Sequence, residues 1–450
     1  MLILIRLYPK SGLTSLCNRI ESEKRNLYWE DAKPLYAMRQ EGKKYLSIVL
    51  DVKNIDAVQN IFLKTISTMI SVRKTRSIPL MNPVYFPLPK EHPSNMERYL
   101  VYLRVSPNKL KQVYTQLLEG KNTNDSYLTY MSYSFGDDDI ILSVLSKDRE
   151  TARQYVEGYV GKLDGVMAFD LSKVVRRMPM LPKDKINKHI ETFLFTKPPG
   201  MNGERKDPKL FERYASQKAN MTVVVRLFAK KKVDDLWKEI EENMPKLENN
   251  NLIPLYASQQ EKKSYITVTF DAMNFEVLRD FLVNTLPIQV NLRKSRTVPL
   301  SEPTYFLMPK EHPEDLHRFL ISLRTIPTQY IPIRSKIISS DFPHNLYMTY
   351  LSFSLGEDDI LLSVLAESRK AVQQFCMEVF DPLPEITSYD ISNQLRTKRL
   401  ATMEQWKKHQ GRFLSSYDRQ HKKDYDQSYD WTNDFNEYAM MMGAFSRDLE

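Results

Sequence analysis

Two cysteines, Cys17 and Cys376, are all that this chain offers for disulfide or thiolate chemistry. They cannot build a disulfide framework, and neither belongs to a CxxC pair or stands beside a histidine at metal-ligand spacing, so a reducing compartment is the expectation. Glycine is scarce too, with 12 in 450 residues. There is no GxGxxG, no GxxxxGK[ST] phosphate loop, no GxSxG elbow and no HExxH, which leaves nucleotide hydrolysis, serine-hydrolase and zincin chemistry without a motif. Long apolar runs are missing as well. The opening MLILIRLYPK is apolar for only four residues before Arg6, too short for a signal-peptide core or a membrane span. It reads as a first β-strand of a cytoplasmic protein with no membrane partner.

What is present is a globular composition, 42% hydrophobic and 27% charged, with a net charge of +9. That excess permits attraction to a polyanion but is too diluted over this length to require it. The organising feature is an internal duplication. Adding 220 to a residue number in the first 177 positions reaches its counterpart without a gap, and about a third of the aligned positions are identical. RKTRSIPLMNPVYFPLPKEHP from Arg73 matches RKSRTVPLSEPTYFLMPKEHP from Arg293, and YLTYMSYSFGDDDIILSVL from Tyr127 matches YMTYLSFSLGEDDILLSVL from Tyr347.

Each half divides again. Helical spacing at 12–22 and 54–69 alternates with extended runs at 2–8, 34–51 and 70–80, in the order βαββαβ, and the stretch from 98 to 175 repeats that order. Strands that alternate faces, beside helices with one apolar stripe, predict four-stranded antiparallel sheets each covered on one side by two helices. The fold class expected is α+β, with four ferredoxin-like modules in two tandem halves, paired sheet to sheet as dimeric α/β-barrel-like units. The divisions are 1–88, 89–177, a connector at 178–220, 221–308, 309–397, and an aromatic and charged tail at 398–450. In that tail Trp431, Phe435 and Tyr438 could pack on the chain itself or dock on a protein partner.

At 98–177 and 318–397 the pattern is more specific. RYLVYLRV from Arg98, then Gly136-Asp137-Asp138-Asp139 leading into IILSV, then a helix and a closing strand, resembles the effector-binding domain of Lrp/AsnC regulators. The chain begins directly in a strand, without the helix-turn-helix domain of that family. The resemblance implies a small amino-acid-like effector bound at inter-module clefts, with Gly136, Asp138, Asp139 and Tyr130, and Gly356, Asp358, Asp359 and Tyr350, as ligand-binding residues. Gly136 is the one glycine of the first copy with a glycine counterpart, Gly356, which points to a backbone conformation at positive φ. A hairpin turn whose carboxylates satisfy local N–H groups is the alternative.

Arg73, Lys74 and Arg76, repeated as Arg293, Lys294 and Arg296, form basic strand ends that could meet nucleic-acid phosphates or only solvate an edge. Pro89-Lys-Glu-His-Pro93 and Pro309-Lys-Glu-His-Pro313 hold His92 and His312, the only histidines retained in both copies so bounded. No second ligand stands at metal spacing, so the segments read as rigid linkers. No metal and no cofactor is implied. The function expected is that of a non-enzymatic regulatory protein that binds an effector and presents a partner surface, with further self-association open. A nucleic-acid-associated scaffold and a dimeric α/β-barrel enzyme are the alternatives.

Overall fold

The computed structural model describes residues 1–415 apart from 25, 70, 89–94, 121, 124, 200, 202, 218–219, 245–250, 289–290, 310–312, 314, 341 and 344. His92, His312, Trp431, Phe435 and Tyr438 lie outside the described residues. Contacts divide the chain into two compact units, residues 1–219 with 273–296, and 220–272 with 297 onward. Both mix antiparallel sheet with helices.

In the first unit the order is β1 (Leu2–Pro9), α1 (Leu13–Ser22), β2 (Ala32–Gln40), β3 (Leu46–Val52), α2 (Ile55–Lys64), β4 (Val72–Tyr85), β5 (Glu97–Val105), α3 (Leu110–Leu118), β6 (Ser126–Ser134), β7 (Ile140–Ser146), α4 (Arg149–Gly158) and β8 (Val166–Pro179), then α5 (Lys183–Phe193) and α6 (Pro208–Ala215). The strands close into a barrel in the order β1-β3-β2-β8-β5-β7-β6-β4. The inner faces of the two four-stranded sheets cover one another, Leu4 and Tyr36 sharing one core cluster with Leu100, Tyr102 and Ile141. Their edges also join, β2 to β8 through Met38↔Arg177 and β4 to β6 through Tyr85↔Tyr130. Closure satisfies the edge N–H and C=O groups that an open sheet would leave unpaired.

Local chemistry fixes the helices. The Asn54 side chain caps α2 by accepting from the Ala57 N–H at 2.9 Å, and Asp148 caps α4 by accepting from Thr151 at 2.8 Å. Helix α5 buries Ile186, His189 and Phe193, one face at helical spacing. Its apolar side packs on the barrel residues, with Leu181 and Ile186 in one cluster with Leu4, Leu80, Tyr36 and Ile141. Beyond α5, the Phe195 N–H donates to the Tyr85 carbonyl at 2.9 Å, which ties this strap to β4.

The second unit has its own closed barrel, from β9 (Met221–Ala229), β10 (Leu252–Gln260), β11 (Tyr265–Ala272), β12 (Leu292–Tyr305), β13 (His317–Thr325), β14 (Leu346–Ser354), β15 (Ile360–Ala366) and β16 (Ile386–Arg399), in the order β10-β11-β9-β12-β14-β15-β13-β16. Helices α7 (Val233–Asn243), α8 (Phe275–Asp280), α9 (Tyr330–Ser339), α10 (Arg369–Val379) and α11 (Met403–Arg412) complete the series, α8 grouping with the first unit. A capping box between Thr402 and Gln405 starts α11. Among the described residues no helix is long and apolar enough to cross a membrane.

Candidate functional site: a cavity inside the first barrel

A cavity of about 210 Å³ lies inside the first barrel, and all eight strands contribute side chains to it. Its walls are mainly apolar and aromatic, with Tyr36, Tyr85, Phe86, Tyr102 and Tyr130 among them. A break in the register of β6 against β7 between Leu128 and Tyr130 explains how two consecutive residues, Thr129 and Tyr130, both reach the lining. A regular strand would send one of them outward. A second irregularity in β4, between Met81 and Val84 with Asn82 at φ 49°, precedes Tyr85.

Two arginines face this cavity, Arg98 and Arg177, and no carboxylate stands among the lining residues. Arg98 Nη1 donates to Thr129 Oγ1 at 2.9 Å and to Ser143 Oγ at 2.5 Å, both uncharged acceptors. Burial, reinforced by the like charge of Arg177, pushes the Arg98 guanidinium down to about 10. Arg177, an exposed residue, lies over the ring of Tyr36, 4.7 Å from its centroid. Tyr36 and Tyr85 share a hydroxyl–hydroxyl hydrogen bond of 3.2 Å. Burial raises the Tyr85 phenol well above its ordinary range.

The second barrel keeps the anchor and loses the room. Arg318, 1% exposed, donates through Nη1 to Thr349 Oγ1 at 3.0 Å and Ser363 Oγ at 3.1 Å, in the same arrangement 220 residues on. The cavity described in that barrel is about 40 Å³. Trp406 of α11 is 2% exposed and packs edge-on against Tyr256 and Tyr305, with centroids 5.9 and 5.6 Å away. The corresponding residue of α5 is Ile186, and the counterpart of Arg177 is Thr397.

The offset of 220 therefore runs on through the strap helices, beyond the boundaries at 177 and 397 that the sequence suggested. It pairs His189 with His409, so His92 and His312 are not the only retained histidines. His189 Nδ1 lies 3.0 Å from Asp51 Oδ2, and His409 Nδ1 lies 3.3 Å from Asp271 Oδ2. Carrying the alignment from 177 on to Lys188-His189, against Lys408-His409, would have found them.

The sequence-predicted residues fall in two groups. Tyr130 and Tyr350 line the cavities of their barrels. The Gly-x-x-Asp turns lie outside both linings, and their carboxylates are occupied by protein groups. Asp137 is ion-paired with Arg76 and Arg296 and accepts through its backbone carbonyl from Lys294 Nζ at 2.5 Å. Burial opposes its ionisation, but these cations hold the carboxyl down at about 2. Asp138 faces Arg6 at 3.5 Å, and Asp358 faces Arg226 at 3.1 Å and Arg324 at 3.4 Å. Gly136 and Gly356 are not at positive φ, contrary to the sequence expectation. Space is the reason for glycine, since a Cβ would come 3.1 Å from Ile78 Cγ2 at Gly136 and 2.9 Å from Val298 Cγ1 at Gly356. Of the basic strand ends, Arg73 and Arg293 are exposed, whereas Arg76 and Arg296 are engaged by Asp137.

Asp139 differs from its counterpart. It accepts from the Val105 N–H at 2.8 Å, as Asp359 does from Thr325, but Asp359 also accepts from the Tyr330 hydroxyl at 2.9 Å, where the first copy has Leu110. Burial pushes the Asp139 carboxyl up to about 7 against the Val105 bond. A folded-state value above the unfolded one favours the protonated form. The contribution to stability is therefore complete below about pH 4 and is lost as pH rises toward 7. Asp139→Asn should leave the melting temperature near its parent value at about pH 4 and raise it at about pH 8. Equal shifts at both pH values would assign the effect to something other than ionisation.

No family model and no curated protein matches the sequence. Among solved structures, the chain is similar to chlorite dismutase from Candidatus Nitrospira defluvii at 11% identity, covering 42% of this chain and 94% of that one with a TM-score of 0.27. It is also similar to a protein from Lactobacillus acidophilus described as a monooxygenase, at 8% identity, 40% and 94% coverage and a TM-score of 0.26. A haem-binding protein from Thermus thermophilus aligns at 8% identity, 39% and 91% coverage and a TM-score of 0.25. Enzymes and a haem-binding protein stand where the sequence led us to expect a non-enzymatic, effector-binding regulator, and that expectation is withdrawn. At these scores the likeness supplies no residue and no reaction. The cavity lining holds neither histidine nor cysteine.

Proposed function

We propose that the first barrel binds a small organic anion with a flat, apolar body, its charged group between Arg98 and Arg177. The observation that carries this reading is the pair of like charges facing one apolar cavity with no carboxylate in its lining. An anion would relieve their mutual repulsion, and a guanidinium matches a carboxylate with two parallel N–H···O bonds. The aromatic walls take the body of the ligand by apolar burial and edge contacts. Size favours one or two fused rings over a larger molecule. Arg98 is pre-positioned by Thr129 and Ser143, so little side-chain ordering remains to be done on binding.

Calorimetric titration with 2-naphthoate, and with its uncharged isostere 2-naphthamide, tests the proposal. Saturable binding of the acid at one site per chain is expected, with the amide weaker by tenfold or more, the ratio that about 1.4 kcal/mol makes. Equal affinities, or no binding of either compound, would defeat it.

A further inference from the structure

The strap helix brings a second set of groups to the wall of the same cavity. His189 is buried, with Nδ1 3.0 Å from Asp51 Oδ2. Asp51 also accepts from the Tyr214 hydroxyl at 3.1 Å and lies 3.8 Å from the Met1 amine. Burial opposes ionisation of Asp51, but the bonds from His189 and Tyr214 and the amine's charge hold its carboxyl below the usual range. In a neutral imidazole an ionised Asp51 places the proton on Nδ1 and the lone pair on Nε2. That Nε2 is buried and meets no hydrogen-bond partner among the described residues. An unsatisfied buried acceptor is unfavourable and calls for an explanation.

The second barrel supplies one. There His409 Nε2 bonds the Tyr305 hydroxyl at 3.1 Å, the rings being 5.7 Å apart and at 79°. His189 and Tyr85 have nearly the same ring geometry, 6.0 Å and 86°, yet the Tyr85 hydroxyl pairs with Tyr36 instead. A hydrogen bond from the Tyr85 hydroxyl to His189 Nε2, in place of the one to Tyr36, would reproduce the arrangement of the second barrel. Tyr85 lines the cavity, whereas His189 sits behind it.

We propose that Asp51, His189 and Tyr85 form a proton relay ending in the cavity, so that the bound anion carries a second acidic group, a phenol or an enolisable C–H, that the relay deprotonates. The proposal rests on the first barrel holding an organic anion. In the step, the ligand's O–H or C–H bond breaks and its proton passes to the Tyr85 oxygen. The Tyr85 O–H bond breaks as an N–H bond forms at His189 Nε2. The electron pair stays on the ligand, now a dianion facing Arg98 and Arg177, and Asp51 balances the imidazolium. Reversal returns the proton, and no oxidant or reductant enters. Tyr85 is the group that touches the ligand, and His189 and Asp51 act through it. The charged or titratable groups around the relay are Tyr36, Tyr130, Arg98 and Arg177 from the barrel, Tyr214 from α6, Glu276 from α8 and the Met1 amine.

The probe is 4-hydroxy-3-nitrobenzoate, an aromatic carboxylate whose phenol reports its ionisation by colour. Bound to the parent protein, its phenol should ionise at lower pH than in solution. With His189→Gln or Tyr85→Phe the midpoint should rise by about one pH unit, a tenfold change in ionisation constant, and His189→Gln, which lies outside the lining, should leave affinity for the carboxylate at low pH unchanged. Identical midpoints in the three proteins would overturn the relay. If the probe does not bind, the cavity reading fails, and the relay is then decided separately. Isotope-labelled histidine in the unliganded protein, assigned with His189→Gln, should show the lone pair on His189 Nε2. A proton on that nitrogen overturns the relay whether or not the probe binds.

Discussion

Replacing Arg98 with methionine is expected to weaken 2-naphthoate binding by more than about thirtyfold and, at the same time, to make the unliganded protein more stable. The first effect follows from removing one partner of a desolvated charge pair, for which about 2 kcal/mol is the lower end. The second follows from the environment of the guanidinium. Burial and the charge of Arg177 both disfavour its ionised form, and its two acceptors, Thr129 and Ser143, are uncharged. Once the arginine is gone those acceptors are not stranded, because Thr129 Oγ1 already bonds the Ser143 carbonyl at 2.9 Å and its hydroxyl at 3.1 Å. A rise in melting temperature of roughly 2–4 °C, the equivalent of about 1 kcal/mol, is the expected result. Loss of binding together with a fall in melting temperature would show that Arg98 holds the barrel rather than a ligand.

The strap position occupied by Ile186 in one barrel and Trp406 in the other yields the second large effect. Trp406→Ala should destabilise its unit by about 3–5 kcal/mol, since an indole enclosed by Tyr256 and Tyr305 leaves a cavity that the surrounding strands cannot fill. Ile186 packs with Leu4, Tyr36, Leu80 and Ile141, all of which line the cavity of about 210 Å³, so the larger indole of Ile186→Trp should extend into that space, keeping stability within about 1 kcal/mol of the parent while 2-naphthoate binding disappears. Denaturant unfolding and calorimetry read the two quantities. Binding that survives Ile186→Trp would place the ligand elsewhere, and a loss of several kcal/mol would show that the first barrel has no room for an indole.

Much of the secondary structure was legible because its two periods occupy separate stretches. LILIRLY can only be extended and buried, and the spacing of Leu13, Leu16 and Ile20 suits only a helix. The duplication was legible for a simpler reason, the absence of gaps. The cavity was not. Arg98, Thr129 and Ser143 are retained as Arg318, Thr349 and Ser363, but they lie on three strands, and their convergence depends on a register break that no local pattern announces. The acidic turns misled because a run of carboxylates beside a retained glycine resembles a receptor for a ligand. Arg6, Arg76, Lys294 and Arg296, distant in sequence, occupy it. The straps escaped notice because α5 and α11 have diverged more than the strands. Only their Lys-His pairs and Phe193-Leu194 against Phe413-Leu414 keep the offset visible.

The joining of β2 to β8 bears on how such a chain reaches its native state. Tyr36 must meet Pro179, and until the later segment has been synthesised the earlier sheet presents unpaired peptide groups along two sides. Closure of that seam is a long loop-closure event, in the class of contacts that slow folding most. The interval before it forms is the period in which a nascent chain can pair with the wrong neighbour.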